Sequence, residues 1–184
     1  MKFALFRRQK DEAVIDRLHG EIMAAARQPA LYIDFAVADT LDGRFEALAL
    51  LATPPVLRLA SLPEPGPDLA QRLTDAIFTH FDDALRETGT SDVAVPKRMK
   101  KMAAAWLGRR KAYAGALAAP DDGPLCEAIA RNVYAGGLGA GADVVRGLAR
   151  YVREIDAAQA SAGLADYMNG PAPFPPAQTA RVAP

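Results

Sequence analysis

One cysteine and two histidines in 184 residues leave little material for the commonest protein chemistries. Cys126 cannot form an intramolecular disulfide, and its apolar neighbours suit a buried small side chain in a reducing compartment. His19, His80 and Cys126 stand tens of residues apart, so no zinc-ligand spacing exists, and neither a metal nor another cofactor is expected. A Cys126–His80–Asp triad would have to assemble in space, and nothing beside Cys126 marks an activated thiol. His19, near the edge of its helix, has no partner in the sequence to make it a ligand. Adjacent carboxylates such as Asp82-Asp83 and Asp121-Asp122 point apart on a helix or turn, so they form no acid–base dyad. The chain is expected not to be an enzyme, and no catalytic residue is assigned.

Long apolar runs are also missing. The longest, residues 47–57, is interrupted by Thr53, Pro54 and Pro55, far short of the roughly 18 uninterrupted residues of a membrane-spanning helix. The opening MKFALFRRQK has four apolar residues before its arginines, too few for the core of a secretory signal. That apolar-then-basic order suits a helix start docked on the core, or contact with a membrane surface. No β-alternation of useful length occurs. Net charge is zero and the pI is about 6.7, which excludes a basic coat over the whole domain, so any polyanion must be met locally.

What the chain does have is helical periodicity. Val14, Ile15, Leu18, Ile22, Met23 and Ala26 repeat at three and four and predict a helix ending near Pro29; residues 29–38 read as a helical turn. Asp39, Thr40 and Asp42 signal the start of a helix through Phe45, Leu48 and Leu51, with Gly43 in its first turn for close packing. Pro54-Pro55 is expected to kink or end that helix. Leu69, Leu73, Ile77, Phe81 and Leu85 predict a helix that stops at Gly89, and Gly123-Pro124 opens another through Leu125, Ile129 and Val133. Residues 136–141, GGLGAG, lack the preceding strand of a phosphate-binding loop and read as an interhelical connection. Residues 144–155 carry a last long helix, with one further turn near 164–168. These patterns predict an all-α, single-domain bundle of about six or seven helices with short loops over residues 1–169. A proline-rich tail, 170–184, is expected to be unpacked apart from the surroundings of Phe174.

Charge separates most cleanly between Asp92 and Tyr113. Lys97, Arg98, Lys100, Lys101, Arg109, Arg110 and Lys111 place +7 in fifteen residues without one carboxylate, while the segments before and after carry −5 and −2. A helix opening at Pro96, with Val95 before it extended, puts Met99, Met102, Trp106, Tyr113 and Leu117 on one arc and Lys97, Lys100, Lys101 and Lys111 opposite. Arg110 falls within the apolar arc unless the helix bends or ends at Gly108 and re-aims Arg109, Arg110 and Lys111. These seven residues are the candidate partner-binding face. The same pattern also describes an ordinary solvated face with lysine stems lying along the core.

Three stretches carry a family resemblance: DTLDGRFE at 39–46, FDDALRETGTSDVAVPKRMKKM at 81–102, and EAIARNVYAG at 127–136. They resemble the ubiquinol–cytochrome c chaperone family, assembly factors for cytochrome b of respiratory complex III in mitochondria and related bacteria. The resemblance implies a helical, non-enzymatic factor that holds newly made cytochrome b while haem is inserted, and in mitochondria works with a small partner near the ribosomal exit. It does not imply haem ligation by the factor itself. Newly made cytochrome b is thus the expected client, with the ribosome and an anionic membrane surface as further expected partners. The expected location is cytoplasmic, peripheral on the inner face of the cytoplasmic membrane. From the residues alone, a helical nucleic-acid- or ribosome-binding module using the basic face is the alternative.

Overall fold

The computed structural model describes residues 2–177, with side chains from Asp11 to Ala177. Among the described residues there are eight helices and no strand: α1 Lys2–Ala26, α2 Pro29–Ile33, α3 Leu41–Ser61, α4 Gly66–Glu87, α5 Ala94–Leu117, α6 Gly123–Asn132, α7 Asp143–Ser161 and α8 Leu164–Asn169. The opening decapeptide and residues 178–184, where two of the expectations above fall, lie outside the described side chains.

Helix α3 is the hub. Every residue from Phe45 to Val56 is buried, a pattern that only a helix surrounded on all sides can satisfy. Helices α1, α4, α5 and α7 surround it. Thr40 caps its start, its hydroxyl accepting the Gly43 amide at 3.1 Å. Gly43 is required by packing, because a Cβ there would lie 1.9 Å from the Ala38 carbonyl oxygen.

Pro54 and Pro55 do not end α3, which continues through them to Ser61. Each proline costs a helix interior about 3 kcal/mol. Burial of a branched side chain contributes roughly 1.5–3 kcal/mol, and α3 buries Leu48, Leu50, Leu51, Val56 and Leu59. Packing therefore outweighs propensity. The buried Thr53 hydroxyl donates to the Ala49 carbonyl at 2.7 Å, so its polar group is satisfied within the helix.

α4 follows its predicted spacing, burying Leu69, Leu73, Ile77, Phe81 and Leu85. It ends in a left-handed Gly89 (φ +78°), with the Thr90 amide donating back to the Leu85 carbonyl and the Gly89 amide to the Arg86 carbonyl. α5 starts at Ala94, not at Pro96, and Val95 is helical and fully buried. Proline is tolerated there because its missing amide falls in a first turn, where helix amides have no internal partner. Nor does Gly108 break α5. That glycine is exposed and a Cβ on it would meet nothing within 4 Å, while Trp106 and Tyr113 on either side hold the helix to the core.

α7 packs on α3 and α6, and its Arg153 caps the end of α5. The guanidinium donates to the carbonyls of Leu117 (2.6 Å), Ala119 (3.1 Å) and Asp121 (2.8 Å), where the helix dipole favours a cation. Residues 171–177, the surroundings of Phe174 and so outside the part of the tail expected to be unpacked, lie against α1 and α7. The amides of Ala172 and Ala177 donate to Glu21 Oε2 (2.8 Å) and Gln28 Oε1 (2.7 Å), and Gln159 Nε2 donates to the Pro173 carbonyl (2.9 Å). Glu21, Gln28 and Gln159 thus bind the segment's backbone, as proline-rich chain that cannot join a helix requires.

Candidate functional site

The outer face of α5 carries Lys97, Lys100, Lys101, Ala104, Leu107, Gly108 and Lys111, all exposed. Leu107 is 58% exposed, and Val93, just before the helix, 89%. None of the ion pairs among the described residues involves Lys97, Lys100, Lys101 or Lys111. Two nearby carboxylates, Asp82 of α4 and Asp92 in the turn before α5, are engaged instead by Arg86 at 2.6 and 2.8 Å. Arg98 is exposed, and Arg110 is half-buried, as its position on an unbroken wheel requires.

Arg109 leaves this face. Its guanidinium clasps Glu46 of α3, with Nη2 2.7 Å from Oε1 and Nε 3.0 Å from Oε2. Glu46 is 8% exposed. The Glu46 carboxylate raises the Arg109 pKa, so the charge is held in place. Behind the pair lies Tyr113, fully buried, its pKa raised first by burial and then by Glu46. Its hydroxyl closes no hydrogen bond, although the Asn132 side chain is near enough to influence it.

The pair forms part of the wall of an open groove of about 470 Å³ between the start of α3, the middle of α5 and the end of α6. Thr40, Asp42 and Phe45 line it from the first of the three stretches quoted above, Lys101 and Met102 from the second, and Arg131, Asn132 and Val133 from the third. Segments far apart in the chain thus meet at one surface. Of the seven residues of the basic face, Lys101 and Arg109 line the groove and the other five do not.

Two further features decide what the protein can do chemically. His19 and His80, on α1 and α4, have ring centroids 5.6 Å apart. Burial lowers both pKa values, and each next feels a cation or a potential one, His80 for His19 and Arg27 for His80. His19 therefore has a neighbour that periodicity could not reveal. Cys126 lies near Arg146 and Arg150, whereas His80 lines a separate cavity of about 280 Å³ with Tyr32 and Arg44. Burial raises the thiol pKa, the opposite of activation. No group of three or more metal-ligating side chains occurs among the described residues.

Comparison with known proteins connects this geometry to a family. The profile of the ubiquinol-cytochrome C chaperone family matches residues 33–174, a span that includes every helix lining the groove and all of the α5 face. The chain belongs to the ubiquinol–cytochrome c chaperone family. A crystal structure of the Cbp3 homolog from Brucella abortus superposes with a TM-score of 0.84 at 34% identity, covering 96% of this chain and 98% of that one. A search of curated proteins returns no significant match. The family's chaperone description agrees with an all-α fold in which no helix among the described residues is long and apolar enough to cross a membrane. α1 precedes the matched span, yet it packs on α3 and α4 as part of the same body.

Proposed function

We propose that this protein is an assembly chaperone that binds newly made cytochrome b and assists biogenesis of the cytochrome bc1 complex. The observation that carries this reading is the family match across residues 33–174. A chaperone role is supported by a site made of surfaces: an open groove and a face whose lysines have no ion-pair partner among the described residues. Under this reading Lys97, Arg98, Lys100, Lys101 and Lys111 hold the protein electrostatically near where its client is made, with Arg110 at the margin. An exposed Leu107 between the lysines supports attachment to the anionic surface of a membrane, which under this reading is the cytoplasmic face. A stacking surface for single-stranded nucleic acid would need exposed aromatics, and Trp106, the only aromatic within the basic stretch, is buried.

The test is deletion of the gene in its native host, followed by cytochrome b haem absorbance, ubiquinol oxidation and recovery of cytochrome b with a tagged chain. Loss of both activities together with co-purification supports the proposal. Normal haem absorbance and full ubiquinol oxidation in the deletion strain refute it.

A further inference from the structure

The groove between α3, α5 and α6 carries charge that the protein itself does not close. Glu46 is consumed by Arg109, with three nitrogen–oxygen contacts of 2.7–3.1 Å. Lys101 and Arg131, both exposed on the groove's lining, have no ion-pair partner among the described residues. Asp42, the remaining carboxylate on the lining, sits in the first turn of α3, where the positive end of the helix already attracts it. The lining therefore has a cationic surplus. Its apolar part comes from Phe45, Met102, Ala105 and Val133, and Met102 is a flexible side chain that can fit differing partners.

We infer that this groove receives a short segment of the client polypeptide in which a carboxylate side chain engages Lys101 and Arg131 while an adjacent apolar side chain packs on Met102 and Ala105. The volume of about 470 Å³ suits a few peptide residues, and the fixed Glu46–Arg109 pair supplies a rigid polar wall that need not reorganise on binding. Charge complementarity selects an acidic segment over a basic one. The inference rests on the cytochrome b reading above and adds the chemistry by which the client is held.

The experiment uses the full chain and overlapping synthetic peptides covering cytochrome b of the same host. Peptides that bind should contain Asp or Glu beside an apolar residue. The variant K101E/R131E, whose changes are both at exposed positions, should keep the thermal transition of the parent and bind those peptides at least about tenfold more weakly, a difference of about 1.4 kcal/mol. Peptides with the acidic residue replaced by lysine should recover affinity for the variant. Unchanged affinity, or an equal loss for peptides without a carboxylate, overturns the inference. Intact cytochrome b recovered equally with parent and variant removes the groove assignment alone. Failure of the parent chain to bind any peptide or to recover cytochrome b removes the client reading with it.

Discussion

Replacing Arg109 by methionine tests how the groove wall is held together. The Glu46 side chain is 11% exposed and that of Arg109 29%, so the substitution leaves a nearly buried carboxylate without its partner. Orphaning a fully buried charge costs about 3–5 kcal/mol. Residual access of water to Glu46 and relaxation around it bring the expected cost of Arg109→Met to about 2–3 kcal/mol. For a chain of this length that lowers the melting temperature by about 4–12 °C. The double variant Glu46→Leu/Arg109→Met removes both charges and fills similar space, so its stability should return to within about 1 kcal/mol of the parent. Urea titrations of the parent, both single variants and the double variant measure the cycle. If the double variant is as unstable as Arg109→Met, the orphaned carboxylate is not the source of the cost and the reasoning is refuted.

Gly43→Ala should cost about 1–3 kcal/mol by overpacking, because the new methyl meets the Ala38 carbonyl; an unchanged melting temperature would show that the turn at 38–40 yields freely. Replacing Lys97, Lys100 and Lys111 by glutamine should shift stability by no more than about 0.5 kcal/mol for each change, yet weaken binding to vesicles containing anionic lipid and flatten its salt dependence; unaltered vesicle binding at low salt would count against the attachment surface. Burial holds the folded pKa values of His19 and His80 below the ordinary histidine value of 6.5, so the unfolded chain takes up protons first as pH falls through that value. Stability should then decline below about pH 6.5 and level off under the folded pKa values, and His80→Gln should reduce the slope of the urea midpoint against pH. Cys126, 6% exposed with a raised pKa, should react with a thiol reagent far more slowly in the native protein than in urea, and equal rates would contradict its burial.

Local features were legible in the sequence where a side chain acts on its own helix. Thr40 as the cap of α3, Gly89 as the stop of α4, the four-residue spacing from Leu69 to Leu85 and the cationic outer face of α5 all follow from short-range geometry. The resemblance of three stretches pointed to the family, but not to the groove where they meet. Proximity between chain segments decided the rest. Pro54-Pro55 stays helical because surrounding helices bury α3 on every side. Arg109 turns from the basic face to a carboxylate 63 residues away, and His19 acquires His80 from another helix. Residues 171–177 are held by Glu21, Gln28 and Gln159. Periodicity records which side of a helix is apolar, but not which polar partner a distant segment will bring to it, and these contacts exist only once the helices have packed.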